Sequence, residues 1–547
     1  MGFDSFENQW FCKLLLSGGG TLVIKSCERP SRAINRILGV ITSASYVNED
    51  IAFEFGLLPP AFLPFERRRL FEKQVDFLNQ LCDHIVLTIP ESFVPNTTDV
   101  SWLEKHGVEL RPLPEDLSLG ESIAASISSD TSGHAVYLVH GDTLLMELLD
   151  FPLDAVSVAK KEDSYRWGFF EGEVLSGYFS FSSGSDLKRA IATSDGDFLR
   201  AIALYGKSRK IRKIRWDKWL DFGHLQNLHQ ATRLKPETRF FNQIQVDGGT
   251  VTKTGTDLKK LSDEAGWFEE LPLQLRLYTP PFLGRTKGGY TVGLETNPTL
   301  HELFIFGELK ASVWEAIAEA VFDFLKTASV AGKGPPQSSK SNGGDSLEVL
   351  THTKTLSRLR TWAASCKSDL SAPWLINGVK APSLFTLFDF ASAVISGGPR
   401  LPGVMHGDLC FTNIFFDFHD RAVRVIDPRG SVDSISPSVY GDQIYDLAKL
   451  NHSINGYDEI LAGNFFLEQS STNALVFELA PSPAREEVQK AFAKYSLRGY
   501  GVHTPVVRAT TIMLFLSMLP LHEDRPDRQL AFIANAYRLL SEWDDYF

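Results

Sequence analysis

The sequence predicts an α/β protein that is divided into at least two domains. A chain of 547 residues is longer than a single hydrophobic core usually organises, and it corresponds to roughly two to four domains. Between residues 38 and 160, short apolar runs alternate with helical segments, which is typical of a largely parallel sheet. From about residue 237 the pattern changes to a hairpin followed mainly by helices, which indicates a second domain.

The individual elements of the first region are short and clearly bounded. Three apolar runs predict buried strands, at 38–42, 85–89 and 135–139, and a helical pattern over 70–83 lies between the first two.

The second region opens with a predicted hairpin, because 241–246 and 250–254 flank the turn sequence Asp247-Gly248-Gly249. Further on, the segment 328–346 is poor in apolar residues and rich in Gly, Ser and Pro. Such a segment buries too little surface to order itself, so we expect a flexible loop there.

Composition excludes several classes of function. Hydrophobic residues make up 43% of the chain and charged residues 22%, as in ordinary soluble globular proteins. The net charge of −12 argues against a surface that neutralises nucleic-acid phosphates or anionic lipids, since both need a basic excess. A basic cluster between 207 and 215 is interpreted as a solvated face. We therefore expect no nucleic-acid partner.

The cysteines and apolar runs favour a cytoplasmic protein. Five cysteines are scattered and show no metal-ligand spacing, which is typical of a reducing compartment. No run approaches about 18 uninterrupted apolar residues, and no secretory leader precedes the first domain. We expect neither export nor membrane insertion, and the oligomeric state has no signature in the sequence.

The densest chemistry lies in the C-terminal half, in MHGDLCFTNIFF at 405–416 and VRVIDPRG at 423–430. Phosphoryl transfer needs a carboxylate that orients the attacking hydroxyl and oxygen ligands that hold Mg²⁺ across the nucleotide phosphates. Asp408 and Asn413 lie five residues apart, and Asp427 follows the next predicted hairpin. These three side chains predict a phosphotransfer centre.

This pattern resembles the aminoglycoside phosphotransferase and choline kinase family, whose HGDxxxxN loop and following acidic strand end match these residues. The resemblance implies a bilobal protein-kinase-like domain in which Asp408 is the catalytic base, Asn413 and Asp427 bind Mg²⁺, and His406 supports the loop. It also implies ATP as the phosphoryl donor.

The N-terminal lobe of such a kinase should carry a nucleotide-binding lysine on a strand, followed by a glutamate on a helix. Lys253 and then Glu264 fit that order. Glu269 and Glu270 lie within two helical turns and are alternatives for the ion pair. Downstream, YGDQIYDLAKL at 440–450 resembles the helix start that braces the catalytic loop in this family. Asp442 there is predicted to be a helix N-cap and Asp446 a bracing residue.

A second constellation lies in the N-terminal half. The third apolar run leads into Asp142, at the carboxyl end of a central strand, where open α/β sheets bind ligands. Asp221 follows in a similar setting within WLDFGH at 219–224. Two carboxylates brought together from distant positions suit a divalent cation that bridges nucleotide phosphates.

These features resemble the sugar-phosphate nucleotidylyltransferases, in which a GD at a strand end and a later WxDxG supply the metal pair. Three further segments agree in order: LPF at 63–65, YRWG at 165–168 and SGYFSF at 176–181. The resemblance covers roughly 38–235 and implies a Rossmann-like, GT-A-like nucleotidyltransferase domain. It implies Asp142 and Asp221 as Mg²⁺ ligands and a second NTP, CTP or UTP, at this domain.

Two departures from that family affect its phosphate site. The first strand continues into TSASYVNED at 42–50 instead of a Gly-rich, Arg-bearing loop, and Pro59-Pro60-Ala61 replaces the family's lysine. Without glycines, backbone amides approach phosphates with difficulty. The glycines at 18–20 lie more than forty residues too early, and we interpret them as an N-terminal turn. Arg67, Arg68 and Arg69 are a possible substitute source of positive charge.

The sequence thus predicts five parts: an N-terminal extension (1–37), a nucleotidyltransferase-like domain (38–235), a kinase-like N-lobe (236–327), a flexible loop (328–346) and a kinase-like C-lobe (347–547). The predicted function is a bifunctional enzyme. It phosphorylates a small hydroxylated metabolite of sugar or polyol type with ATP and then activates the product as a nucleotide derivative, which suits precursor supply for a surface polysaccharide. The alternative keeps the kinase and makes the first domain a non-catalytic nucleotide-sugar binding module.

Overall fold

The computed structural model describes residues 36–147, 151–160, 168–170, 172–234, 242–331, 345–432 and 437–543. Within it, Arg36–Phe547 forms one compact unit. Several predicted features lie outside the described residues: the glycines at 18–20, positions 165–167 of the YRWG segment and most of the loop 328–346.

The first domain is built on one large sheet. The strands of the domain are β1 (Ile37–Thr42), β2 (Pro64–Phe65), β3 (Arg68–Arg69), β4 (His84–Pro90), β5 (Val108–Leu113), β6 (Ala135–His140), β7 (Thr143–Leu145), β8 (Ala155–Ala159), β9 (Phe169–Phe170), β10 (Glu173–Phe181), β11 (Arg212–Arg215) and β12 (Trp219–Asp221). The pairs β2-β3 and β7-β12 form two small sheets of their own. The order in the sheet is β11-β8-β10-β6-β1-β4-β5. β6, β1, β4 and β5 run parallel, and β10 is antiparallel to both β6 and β8.

Helices cover both faces of this sheet. They are α1 (Glu49–Phe55), α2 (Leu70–Leu78), α3 (Thr97–Lys105), α4 (Leu119–Ser126), α5 (Gly184–Thr193), α6 (Phe198–Ser208) and α7 (Leu225–Leu234). In β1, Leu38 and Val40 join a core beneath α4, α5 and α6, whereas Ile41 joins the opposite core. Because both faces are buried, these strands are continuous apolar runs, which is why they were recognisable. All three predicted strands are confirmed, and the predicted helix is α2.

The second domain begins with a four-stranded antiparallel sheet and one long helix. The elements are β13 (Asn242–Asp247), β14 (Thr250–Gly255), α8 (Leu258–Glu270), β15 (Phe282–Thr286) and β16 (Gly289–Gly293), with the sheet order β13-β14-β16-β15. β13 and β14 form the predicted hairpin across Asp247 to Thr250.

The remainder of the chain is mainly helical. Its helices are α9 (Leu300–Phe306), α10 (Ala311–Val330), α11 (Ser346–Glu348), α12 (Lys354–Cys366), α13 (Leu384–Gly397), α14 (Gln443–His452), α15 (Asp458–Ala462), α16 (Pro483–Ala493), α17 (Pro505–Met518) and α18 (Pro526–Ser541). Its strands are β17 (Trp374–Ile376), β18 (Val379–Ala381), β19 (Pro402–Val404), β20 (Ile414–Asp417), β21 (Ala422–Val425), β22 (Tyr440–Asp442), β23 (Phe465–Ser471) and β24 (Ala474–Leu479). A sheet lobe followed by a helical lobe matches the predicted bilobal domain.

Among the described residues, one helical segment, Pro505–His522, is long and apolar enough to cross a membrane. It consists of α17 and the turn that follows it, and 72% of the segment is buried inside the fold. Its apolar side chains contact α12, α13, α14 and α18. The apolar character of this helix is therefore explained by its position in the core of the helical lobe.

Candidate active site

The backbone of the loop that carries Asp408 is hydrogen-bonded to a buried carboxylate. Asp446, on α14, accepts hydrogen bonds from the backbone N–H groups of His406, at 2.9 Å, and Gly407, at 2.7 Å. Gly407 has a φ of +78°, which favours glycine. The His406 ring is fully buried, and its Nδ1 accepts the N–H of Asp408 at 3.2 Å. Asp446 and His406 thus fix the backbone on both sides of the turn.

Lys449 and Asn413 both contact the side chain of Asp408. Its Oδ1 lies 2.8 Å from Nζ of Lys449, which is on α14. Asn413 Nδ2 donates to the Asp408 carbonyl oxygen at 2.9 Å and lies 3.3 Å from Oδ2. Burial alone would favour the neutral amine of Lys449, but the Asp408 carboxylate outweighs it and the pKa of Lys449 is raised. Asp408 is thereby oriented by a cation and an amide.

Asn413 and Asp427 lie next to each other across the β20–β21 hairpin. Asn413 ends a short 3₁₀ turn, and its carbonyl oxygen accepts the N–H of Ile426 at 3.1 Å. Asp427 follows immediately with a φ of +57°, a left-handed conformation that turns the chain at this point. Because Asn413 Nδ2 faces Asp408, its Oδ1 is the amide atom left for a cation.

Lys253 connects the two lobes. Its Nζ lies 2.8 Å from Glu264 Oε2 on α8 and 3.0 Å from Asp427 Oδ1. Tyr290 on β16 also donates to Glu264 Oε2, at 3.0 Å. Burial favours the neutral amine, yet Asp427 and Glu264 together raise the pKa of Lys253. One buried ammonium group therefore contacts two carboxylates, of which Glu264 is buried and Asp427 is 42% exposed.

These contacts show which glutamate of α8 forms the ion pair with Lys253. Glu269, one turn further along α8, forms an ion pair with Arg285 at 2.8 Å. Glu264 has a side chain that is only 2% exposed and contacts Lys253 directly. Asp442, as predicted, caps α14: its Oδ1 accepts the N–H groups of Ile444 and Leu401.

The donor set of this cleft fits Mg²⁺. An amide oxygen of Asn413 and the carboxylate of Asp427 are hard oxygen ligands, and Mg²⁺ in nucleotide sites is often bound by one or two protein groups plus phosphates. No group of three or more His, Cys, Asp or Glu side chains converges on a metal site in the described part of the chain. A cation here would accordingly take its remaining ligands from water and the nucleotide.

In the first domain, the pairing of β12 with β7 brings Asp221 opposite Thr143, beside Asp142. Gly223 separates the two carboxylates: a Cβ at this position would lie 2.5 Å from Asp142 Oδ2 and 3.2 Å from Asp221 Oδ1. Burial and then the Asp221 charge raise the pKa of Asp142 to about 6. The two residues that were predicted from distant positions thus face one another.

Asp221 already has three donors in this arrangement. Its Oδ1 accepts the N–H of Gly223 at 3.0 Å, and its Oδ2 accepts from His224 Nδ1 and Asn227 Nδ2, each at 2.7 Å. No Lys or Arg forms an ion pair with Asp142 or Asp221 among the described residues.

The segment after β1 lies where a phosphate loop was expected. Its own side chains fix it in position through hydrogen bonds. Ser43 donates its N–H to Thr88 Oγ1 at 2.9 Å and accepts the N–H of Ala61 at 3.0 Å. Asn48 caps α1 and donates to the Gly223 carbonyl oxygen at 2.7 Å. The first turn of α1 carries Glu49 and Asp50. These carboxylates oppose rather than attract phosphate charge.

Two of the three arginines that were predicted as substitute charge have acidic partners elsewhere. The side chain of Arg69 is 4% exposed and binds Asp99, while Arg68 lies on the surface beside Glu72 and Asp76.

Two residues of the kinase-like cleft were missed by the sequence interpretation. Lys449 lies three residues after Asp446, so both project from one face of α14 toward the catalytic loop. That spacing was a usable signal. Tyr290 had no such signal in the sequence, because its contact with Glu264 depends on the pairing of β16 with β14.

No family model and no curated protein matches the chain. Solved structures do match it. An inositol-1-phosphate CTP transferase from T. maritima is 14% identical, with a TM-score of 0.29 over 37% of this chain and 98% of that one. A nucleoside-diphosphate-sugar pyrophosphorylase from Vibrio cholerae is 12% identical, with a TM-score of 0.29 over 36% and 99%. Choline kinase LicA from Streptococcus pneumoniae is 10% identical, with a TM-score of 0.34 over 56% and 92%. The fold of each domain is assigned from the strand order and helix positions described above.

Proposed function

We propose that the chain is a bifunctional enzyme whose second domain transfers the γ-phosphoryl group of ATP to a hydroxyl group of a small molecule. The observation that carries this proposal is the ion-paired cluster of Lys253, Glu264 and Asp427, in which Lys253 and Glu264 are buried and Asp427 lies beside the loop that bears Asp408 and Asn413. A purely structural protein has no need for this combination of buried charges, whose desolvation is costly.

In the proposed reaction, Asp408 accepts a hydrogen bond from the acceptor hydroxyl and aligns its oxygen with the γ-phosphorus. A bond forms between that oxygen and the γ-phosphorus, the bond to the β,γ-bridging oxygen breaks, and ADP leaves. The proton of the acceptor hydroxyl passes to Asp408 and then to solvent. Lys253, fixed by Glu264, binds the nucleotide phosphates.

Asn413 Oδ1 and Asp427 are the residues that would hold Mg²⁺ in this cleft. When bound, the cation would neutralise charge on the phosphates of ATP.

Asp408→Asn tests this activity directly. The substitution keeps the side-chain shape but removes the carboxylate, so we expect acceptor-dependent conversion of ATP to ADP to fall by about 10²–10⁴-fold. Asp420→Asn, in the exposed turn after β20, is the matched control and should leave turnover unchanged. Mg²⁺-dependent turnover that survives in Asp408→Asn would overturn the assignment of the cleft.

For the first domain, the facing pair Asp142 and Asp221 supports a second step. A phosphate oxygen of the phosphorylated product would attack the α-phosphorus of CTP or UTP, and pyrophosphate would leave. The two steps in sequence would yield a nucleotide-activated precursor in the cytoplasm, a product of the class consumed in surface polysaccharide synthesis.

A second candidate makes the first domain a non-catalytic module that binds a nucleotide sugar. The acidic first turn of α1 and the absence of an ion-paired cation at Asp142 and Asp221 in the described residues favour it. Pyrophosphate release from CTP or UTP with sugar phosphates, abolished by Asp142→Asn, supports the enzyme. Binding of a nucleotide sugar without pyrophosphate release supports the module.

A further inference from the structure

Basic side chains gather on the helical side of Asp408. Lys449 forms the ion pair with Asp408 already described, and three further cations lie around it: Lys354 and Arg358 on α12, and Arg429 in the segment after Asp427. Together with Lys449 they come from three separate parts of the chain, and the chain as a whole is acidic, with a net charge of −12. A local basic cluster beside the proposed phosphotransfer centre therefore suits the binding of an anionic ligand.

The two residues on α12 lie one turn apart and face α14 and α17. Lys354 Nζ lies 3.2 Å from the hydroxyl oxygen of Tyr445 and 5.8 Å from the centre of its ring. Tyr445 is one turn before Lys449 on α14, so Lys354 is on the side of that helix that faces Asp408. Arg358 donates to the carbonyl oxygen of Ser517 at 2.9 Å. A π-helical turn, Val349–Thr353, immediately precedes Lys354, and such turns are frequent at functional sites.

Arg429 approaches the same loop from the other direction. Its backbone N–H donates to the carbonyl oxygen of His406 at 2.8 Å. Its side chain covers Gly407, the residue before Asp408: a Cβ on Gly407 would lie 2.7 Å from the Arg429 Cβ. The Nε atom donates to the carbonyl oxygen of Ser431. The guanidinium group is thus anchored beside the catalytic loop.

Within the described part of the chain, carboxylates do not balance the charges of this cluster. Asp408 compensates Lys449, Asp427 compensates Lys253, and Asp446 accepts two backbone N–H groups. Among the described residues, no carboxylate forms an ion pair with Lys354, Arg358 or Arg429. Burial lowers the pKa of Lys354 well below its ordinary value, and the charges of Arg429, Arg358 and Lys449 lower it further. Partly buried cations that repel one another are stabilised when an anion joins them.

We propose that the phosphoryl acceptor is an anionic hydroxylated molecule, whose carboxylate or phosphate ester is bound by Lys354, Arg358 and Arg429 while its hydroxyl group faces Asp408. This inference rests on the proposed kinase activity and specifies its substrate class. The nucleotide phosphates are a poorer occupant, because Lys253 and the oxygen ligands Asn413 and Asp427 already serve them. Arginine and lysine side chains from α12 would instead discriminate against neutral polyols and cationic amino alcohols.

Binding tests the proposal without requiring turnover. The full chain, saturated with Mg²⁺ and the non-hydrolysable ATP analogue AMP-PNP so that the γ-phosphate position is filled, is titrated with inorganic phosphate and with D-glycerate by calorimetry. We expect binding of either probe to weaken at least about tenfold in Lys354→Gln and in Arg358→Gln. Arg360→Gln, an exposed position on the same helix, is the matched control and should bind like the wild type. Unchanged AMP-PNP affinity shows that each variant is folded.

Turnover provides a second, independent measurement. D-glycerate and glycerol 3-phosphate are compared as acceptors with neutral glycerol and cationic choline. Phosphorylation of choline or glycerol but of neither anion would overturn this inference and leave the kinase assignment standing. Conversely, Lys354-dependent binding of phosphate without any phosphoryl transfer would contradict the kinase assignment and support the anion site. A wild-type chain that binds no anionic probe overturns the site.

Discussion

At the scale of single residues, the kinase-like cleft contains lysines and carboxylates that form ion pairs with one another. Lys253 is shared by Glu264 and Asp427, and Lys449 belongs to Asp408. Lys449 is 10% exposed, whereas the Asp408 side chain is 31% exposed and stays in contact with solvent. Removing the lysine therefore leaves a carboxylate that water can still stabilise, so its loss should affect chemistry more than folding.

We expect Lys449→Met to lower kcat by about 10²-fold, because Asp408 loses the cation that orients it toward the acceptor. The affinity for Mg²⁺ and ADP, which we propose to depend on Lys253 and Asp427, should stay unchanged in equilibrium titrations. Lys494→Met, which removes a surface ion pair with Glu315, is the control and should have wild-type kinetics. A variant that loses ADP binding but keeps kcat would show that Lys449 serves the nucleotide instead.

His406 gives the stability a defined dependence on pH. Burial lowers its pKa to about 4, compared with about 6.5 in the unfolded chain. Between these values the unfolded state binds a proton that the folded state excludes, so the free energy of unfolding falls as the pH drops from 6.5 to 4. The loss should be roughly 3 kcal/mol.

His406→Asn tests this dependence, since Oδ1 of asparagine can accept the Asp408 N–H as Nδ1 does, without titrating. Urea unfolding at pH 7.5 and pH 4.5 should show a smaller pH effect in the variant, by roughly 3 kcal/mol. An identical pH effect in wild type and variant would mean that other groups account for it.

At the scale of elements, the sequence predicted the strands and turns that have a clear hydrophobic periodicity or a short motif. The strands β1, β4 and β6 were recognisable because both of their faces are buried, and the hairpin β13–β14 because of its Asp-Gly-Gly turn. The bracing role of Asp446 followed from its motif. The cation cluster was not predictable, because Lys354, Arg358 and Arg429 become neighbours only when α12 packs against α17 and the segment after Asp427 packs against the loop of His406. No local pattern reports such packing.

Helix α8 is positioned by one glycine of the segment after Asp427. Gly430 has a φ of +72°, and a Cβ at this position would lie 2.0 Å from the carbonyl oxygen of Asp263. The adjacent residue on α8 is Glu264, the partner of Lys253. Close approach of these two backbones therefore sets the position of Glu264 relative to the rest of the cleft.

We expect Gly430→Ala to displace α8 and to lower kcat/KM for ATP by at least about 10²-fold. Backbone strain should also cost about 1–3 kcal/mol of stability. Gly397→Ala is the matched control, because a Cβ on Gly397 meets no atom within 4 Å. It should change stability by less than about 0.5 kcal/mol and leave the kinetics unaltered. Wild-type ATP kinetics in Gly430→Ala would show that α8 tolerates the shift.

At the scale of the whole molecule, the two domains share a buried polar contact. Arg69, at the start of α2, binds Asp99 within its own domain, with Nη2 3.1 Å from Oδ2. Its Nη1 donates to the carbonyl oxygens of Phe62 and, in the second domain, Phe306. Nearby, the N–H of Glu308 donates to Phe55 at 2.8 Å. A buried arginine that satisfies carbonyls of both domains should make them unfold together.

Arg69→Leu should uncouple the two domains. The substitution leaves Asp99 as an uncompensated buried charge and removes the donor to Phe306, at a cost of about 3–5 kcal/mol. In differential scanning calorimetry we expect the single transition of the wild type to separate into two, with the first domain melting at the lower temperature. Arg68→Leu changes the neighbouring surface arginine, should cost at most about 1 kcal/mol and should keep one transition. A single transition at the wild-type temperature in Arg69→Leu would show that the remaining contacts, including the edge-to-face contact of Phe53 with Phe418 across the same junction, are sufficient for cooperative unfolding.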